Sequence, residues 1–181
     1  YPALQRPNVD LVDTPIDSIS PSGIKTKDGQ QRDFDAILYG TGFTPTEFLS
    51  PLQLTGLKGL ELNQAWRDGA EAYLGVTIAG FPNLFMMYGP NTNLSGSIIF
   101  MLESQSRYIV RCIKSLRQRK ARYMAVNQEA QRKLNEEIQQ RIATTVIMDD
   151  NCHSYFKTVS GKVTTQWPGY LTEYRLRTSR V

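Results

Sequence analysis

Apolar and polar positions alternate in short bursts over the first forty or so residues. Val9 to Val12, Ile16 to Ile19 and Gly23 to Thr26 read as brief strands, the last followed by an Asp28-Gly29 turn, and this tight spacing predicts a meander. Asp35 to Tyr39 is mostly apolar and stops at Gly40-Thr41-Gly42, the pattern of a buried strand whose end must come close to something. From Thr44 to Gly80, prolines and glycines break the periodicity and predict irregular structure with short elements. Asn83 to Tyr88 again has buried-strand character, and it ends at Gly89-Pro90-Asn91 and the small polar stretch Thr92 to Ser97.

Two long helices follow. Ile98, Leu102, Ile109, Cys112, Ile113 and Leu116 recur at helical spacing and predict an amphipathic helix to about Arg119. Gln105 interrupts that stripe. A buried amide group left unpaired costs about 1–3 kcal/mol, so Gln105 is expected to have a specific hydrogen-bond partner unless it sits at the stripe's edge. The opposite face carries Arg107, Arg111, Lys114, Arg117, Arg119, Lys120 and Arg122. Asn127 as N-cap, Glu129 in the first turn, and Ala130, Leu134, Ile138 and Ile142 predict a second helix, with supporting pairs Arg132–Glu136 and Lys133–Glu137. From Met148 onward the chain reads as irregular and aromatic, through His153 to Phe156, Trp167 to Tyr170 and Tyr174, and it ends in a basic tail.

Composition narrows the class. The 181 residues are 40% hydrophobic and 21% charged, which excludes collagen, coiled coil and wholesale disorder. No apolar run reaches the roughly 20 residues that span a bilayer. The net charge of +4 suits an anionic partner, and a cofactor phosphate satisfies it as well as a nucleic acid does. Cys112 and Cys152 make no disulfide framework and read as free thiols of a reducing compartment, so a cytoplasmic location is expected. The start at Tyr1-Pro2-Ala3, with neither an initiator Met nor a signal peptide, suggests a piece of something longer. Without a secretion signal, the sequon Asn93-Leu94-Ser95 reads as coincidence.

Several chemistries fall away. Gly40-Thr41-Gly42-Phe43-Thr44-Pro45 starts like a dinucleotide fingerprint, but Pro45 stands where the third glycine belongs. His153 is the only histidine, and no serine stands in a G-x-S-x-G elbow. Asp149, Asp150, Cys152 and His153 do not promise a metal site, because adjacent Cys and His cannot easily face one ion. The basic helix face reads as a solvated surface, with no nucleic-acid module beside it. One constellation remains: the run Leu84 to Tyr88, the Gly89-Pro90-Asn91 turn and the helix opening near Ser97. A strand leading to a helix N-terminus there would present free backbone N–H groups and the positive end of a helix dipole. Such a place suits a phosphate or the anionic edge of a reduced flavin; it is equally readable as a structural turn.

These same residues carry a resemblance. Asp35-Ala36-Ile37-Leu38-Tyr39-Gly40-Thr41-Gly42-Phe43, Trp66-Arg67-Asp68-Gly69-Ala70, Tyr73-Leu74-Gly75, Gly80-Phe81-Pro82-Asn83-Leu84-Phe85, Gly89-Pro90-Asn91, Glu103-Ser104-Gln105 and Trp167-Pro168-Gly169, in that order, resemble the C-terminal part of the class B flavoprotein monooxygenases, nearest the Baeyer–Villiger type. The resemblance covers nearly the whole chain from about Pro2.

It implies an α/β fold that is a fragment of a flavoprotein with two Rossmann-like dinucleotide-binding domains, for FAD and NADP. Residues 1–43 would complete the nucleotide-binding region, and 44–181 would form the C-terminal part of the FAD domain with substrate-pocket loops. The parent would use FAD, NADPH and O2 to insert oxygen into ketones through a flavin peroxide, with heteroatom oxidation as the close alternative. By the resemblance, Thr41 and Gly42, Gly89, Pro90, Asn91 and Thr92, and Tyr155 approach the cofactors, Tyr155 standing where some relatives have a Trp. Asn93, Leu94 and Ser95 border the substrate pocket. Both G-x-G-x-x-G fingerprints, the family's signature and the arginine that supports the peroxide precede this region in relatives. The isolated chain is therefore expected to be inactive, to bind FAD poorly and to need the N-terminal region of its own polypeptide. Apolar surface that this region should cover implies dimerisation or aggregation of the isolated chain. A non-catalytic binding or assembly module is the reading from a different class.

Overall fold

The computed structural model describes residues 1–93, 96–149 and 154–181. The chain divides into two compact units, residues 1–43 and 44–181.

The first unit is a three-stranded antiparallel meander of β1 (Ile16–Ile19), β2 (Gly23–Thr26) and β3 (Gln31–Asp33), in the order β1-β2-β3. Ile16 pairs with Thr26 and Ile19 with Ile24, with an irregularity between Ile16 and Ser18. Ile24 then pairs with Arg32. The turn between β2 and β3 is built by Asp28. Its carboxylate accepts from the Thr26 hydroxyl at 2.5 Å and from the Gln30 amide at 3.2 Å, bonds that hold its pKa below the usual carboxylate value.

Two expected strands are not there. Val9 to Val12 makes no ladder, and neither does Asp35 to Tyr39, where Leu38 is 94% exposed. An apolar run becomes a buried strand only when neighbours pair with both its edges and cover both faces. Among the described residues, nothing pairs with this one.

The second unit is helical and loop-rich. Its helices are α1 (Leu62–Ala65), α2 (Ile98–Gln118), α3 (Gln128–Ile142) and α4 (Leu171–Arg177). No helix is long and apolar enough to cross a membrane, among the described residues. Ser97 caps α2 by accepting the Phe100 amide at 3.2 Å, and Asn127 caps α3 by accepting from Glu129 and Ala130 at 2.8 and 3.2 Å. The buried face of α2 is Met101, Ser104, Gln105, Tyr108 and Cys112, rotated from the predicted stripe. Ile98 and Ile113 stay 37% and 45% exposed, and Gln105 lies at the centre of the buried face rather than interrupting it.

One core joins α2, α3 and α4 through Met101, Tyr108, Leu134, Ile138, Ile142, Trp167 and Tyr174. Burying each large aliphatic chain of this kind contributes about 1.5–3 kcal/mol. A second core gathers Leu62, Trp66, Ala72, Ile78 and Phe81 beneath the loops.

Those loops have few ladders of their own, so side chains satisfy their backbone. Gln131, Asn135 and Gln139 stand four residues apart on α3, one turn above another. Gln131 accepts the Ala79 amide at 2.7 Å, Asn135 donates to the Ala72 carbonyl at 3.4 Å, and Gln139 donates to the Val163 carbonyl at 2.9 Å. The tail read as irregular contains α4, whose Tyr174 ring meets Trp167 edge to face at 5.2 Å. The predicted Lys133–Glu137 pair is also replaced. Lys133 turns to Glu129 at 3.5 Å, and Glu137 joins arginines of α3 and α4.

Candidate functional site

Leu84 to Tyr88 does not form the expected strand. Left-handed residues stand at both ends of the run, with φ +60° at Asn83 and +56° at Tyr88, and its ladder-like bond is the Met86 amide to the Val76 carbonyl at 2.9 Å. Asn83 is held outside the ladder by the Met124 backbone, donating from its amide at 3.0 Å and accepting at its side chain at 3.1 Å.

The Gly89 turn instead packs back to back against another turn. Leu74 and Gly75 are left-handed on one side (φ +53° and +66°), and Tyr88 and Asn91 on the other, both at +56°. A Cβ on Gly75 would lie 2.0 Å from the Thr92 methyl and 2.8 Å from the Pro90 carbonyl. One on Gly89 would lie 2.3 Å from the Gly75 carbonyl and 2.4 Å from the Met86 sulfur. Only glycine allows the two backbones to touch in this way.

Residues 91–93 are stitched to 163–167. The Asn91 amide donates to the Thr164 carbonyl at 2.7 Å, and its side chain donates to the carbonyls of Val163 at 3.0 Å and Gln166 at 2.9 Å. The Asn93 amide donates to the Thr165 carbonyl at 2.8 Å, and the Trp167 amide returns to Asn93 at 2.7 Å. Thr92 closes the turn by donating to the Gly89 carbonyl at 2.7 Å. The expectation of free amides is corrected at three positions: those of Tyr88, Asn91 and Asn93 are engaged within the chain. Gly89, Pro90, Asn91 and Thr92 are buried, while Met87 and Tyr88 stay open at 48% and 43%.

Gln105 supplies the acceptor for Tyr88. Its side-chain oxygen accepts the Tyr88 amide at 2.9 Å, its nitrogen donates to the Tyr174 hydroxyl at 3.0 Å, and that hydroxyl donates to the Leu74 carbonyl at 2.6 Å. Burial pushes the Tyr174 pKa well above its ordinary value, so the phenol stays a donor. The sequence flagged Gln105 as a buried amide in need of a partner; it carried no sign that the partner would be Tyr174, sixty-nine positions away.

The remaining predicted residues fall in both units. Thr41 and Gly42 lie exposed at the end of the first unit, with φ +79° at Gly42. Gly89 to Asn93 and Tyr155 belong to the second unit, where Tyr155 is 59% exposed and packs on Phe156 at 4.2 Å. Leu94 and Ser95 lie outside the described residues, as do Asp150, Cys152 and His153. No group of three acidic, His or Cys side chains able to hold a metal occurs among the described residues. Hollows in the second unit include a cleft of about 500 Å³ beside Phe48, Trp66, Arg67 and Thr158, and an apolar pocket of about 200 Å³ against Phe81, Phe85, Tyr108 and Cys112.

No protein-family model matches the sequence. Individual relatives do match, over 98–100% of the chain. An FAD-binding monooxygenase of Aspergillus niger is 39% identical over 186 residues, taking in 100% of this chain and 30% of the relative. A Baeyer–Villiger monooxygenase of Pseudomonas aeruginosa is 37% identical over 180 residues, 98% of this chain and 34% of the relative. The solved structure of OTEMO complexed with FAD and NADP superposes with a TM-score of 0.81 at 29% identity, over 96% of this chain and 33% of that one. By sequence and by fold, the chain is homologous to the flavoprotein monooxygenases of Baeyer–Villiger type. It spans about a third of the length of the relatives it matches.

Proposed function

We propose that this chain is the C-terminal portion of an FAD-containing, NADPH- and O2-dependent monooxygenase that inserts oxygen into ketones. The observation that carries the reading is the match over its entire length to about a third of such enzymes. The apolar run Ile37-Leu38-Tyr39, patterned for burial yet with Leu38 and Tyr39 exposed, supports it: an N-terminal region of the same polypeptide would pair with it and cover it. Residues 1–43 would then complete the nucleotide-binding region and 44–181 the FAD domain, in a cytoplasmic enzyme.

The residues here do not cradle a dinucleotide pyrophosphate. No complete glycine fingerprint is present, and the amides of Tyr88, Asn91 and Asn93 are spent within the chain. What they fit is a wall. The buried Gly89 to Thr92 backbone forms a fixed support whose open side is Met87 and Tyr88, with Asn93 half-buried at its edge. Thr41, Gly42 and Tyr155 are the further cofactor contacts in this reading, and the segment Asn93, Leu94 and Ser95 is assigned to a small-molecule substrate. When bound, the flavin supplies the oxygen-transfer chemistry. This chain's part is to orient the ring and exclude water from one side of it.

The test uses the longer polypeptide and the 181-residue chain side by side. The longer protein should purify with FAD, consume NADPH and O2, and convert a ketone to an ester or lactone; the short chain should retain no flavin. A longer protein that neither holds FAD nor oxidises NADPH would overturn the proposal, and product from sulfides or amines alone would move it to heteroatom oxidation.

A further inference from the structure

We infer that Gln105 is a positioning residue: it ties α4 to the Gly89 turn and holds that turn in the shape the proposed flavin wall requires. The inference rests on the function proposed above. Its basis is a one-way chain of hydrogen bonds. The Tyr88 amide can only donate, so Gln105 must turn its oxygen toward it. That leaves the Gln105 nitrogen to donate to the Tyr174 hydroxyl, whose own hydrogen then goes to the Leu74 carbonyl.

The two ends of this relay are Leu74 and Tyr88, and both are left-handed. A side chain beyond glycine is strained in that conformation. Each precedes a glycine, Gly75 and Gly89, and those are the glycines whose backbones touch. The relay therefore closes a ring around the contact between the two turns, with Gln105 and Tyr174 as the side-chain half of the ring. Gln105 and Tyr174 are fully buried, so no water replaces either bond at low cost. A leucine or methionine at 105 would fill the same helix face with no partner to satisfy. What the amide adds is the orientation of the Tyr88 peptide, and with it the exposed Tyr88 ring and the start of the wall.

Gln105→Met, Gln105→Glu and Tyr174→Phe in the full-length, flavin-loaded protein test this. Amide hydrogen exchange at Tyr88, the visible flavin spectrum, and product formed per NADPH consumed are measured against wild type. Gln105→Met and Tyr174→Phe should raise exchange at Tyr88 at least tenfold, shift the flavin bands and lower product per NADPH at least fivefold, while exchange in α3 and FAD content hold. Gln105→Glu keeps the acceptor for Tyr88 and should fall between these and wild type. Unchanged Tyr88 exchange in any variant that folds, apart from Gln105→Glu, overturns the inference; so does failure of all three to fold, which would make Gln105 a folding residue only. A wild-type protein without NADPH oxidation sinks the monooxygenase reading instead, and the Tyr88 exchange still decides the relay.

Discussion

Arg141 on α3 meets Glu173 on α4 fork to fork, with Nη1 2.7 Å from Oε1 and Nη2 3.0 Å from Oε2. Arg177 completes the clamp, donating to Glu173 at 3.1 Å and to Glu137 at 2.9 Å, with its guanidinium 5.7 Å from the centre of the Trp167 ring. Bidentate pairs of this kind are stronger than single surface contacts, though partial exposure screens them.

The clamp sets an acid limit on α4. The arginines hold the Glu137 and Glu173 pKa values below their ordinary 4.5, so ionised carboxylates are favoured by the folded state. Their contribution is fully present above the ordinary value and is lost as pH falls through the lowered ones. Trp167 emission and exchange of the α4 amides should therefore be constant from pH 7 to about 5 and change below about 4. Glu173→Gln should weaken protection of α4 already at neutral pH. Protection of α4 that survives unchanged to pH 3 would contradict this.

Gly75→Ala should cost well over 1 kcal/mol, from the left-handed φ together with the overlap on Thr92 and Pro90. Gly161 provides the comparison. It is also left-handed at φ +83°, but a Cβ there meets nothing within 4 Å, so Gly161→Ala should cost about 1 kcal/mol. Urea denaturation of both variants separates the backbone penalty from the contact; equal losses would mean that the two turns do not touch in solution.

Gln131→Ala should cost about 1–3 kcal/mol, because the Ala79 amide loses its acceptor in a loop without a ladder. Gln139→Ala should cost less, since the Val163 carbonyl keeps the Asn91 side chain as donor. The same denaturation series reads both, and the opposite ranking would remove α3 as the support of these loops.

Cys112 is 1% exposed, and burial pushes its thiol pKa up. In a Cys152→Ser background, it should react with a thiol reagent at least a hundredfold more slowly in the native protein than in urea. Rapid native labelling would show that the pocket beside Tyr108 opens.

Helices and caps were legible because their signals are local. Asn127 with Glu129, and the stripe Leu134, Ile138 and Ile142, define α3 within a few positions of sequence. The β1–β2 hairpin was legible for the same reason. Asp35 to Tyr39 and Leu84 to Tyr88 were misread as strands, because an apolar run specifies burial and leaves open whether a neighbouring strand is there to pair with it. α4 was hidden among aromatics and arginines, since Glu173 and Arg177 look like a charged tail until Glu137 and Arg141 are placed opposite them. At the site, the sequence pointed to Gly89, Pro90 and Asn91 but implied open amides, whereas Asn91 spends its donors on a segment more than seventy residues away. Such long-range pairing leaves no periodic trace.

The rung-like amides of α3 have a practical consequence for redesign. Because Gln131, Asn135 and Gln139 grip peptide groups rather than side chains, the loops they hold are addressed by path and not by residue type. Side chains around Ala72, Ala79 and Val163 that point away from the two cores can be diversified in a library while the three amides are left untouched. Randomising the three amides themselves would release the Ala72 and Ala79 peptides together and leave Val163 to Asn91 alone.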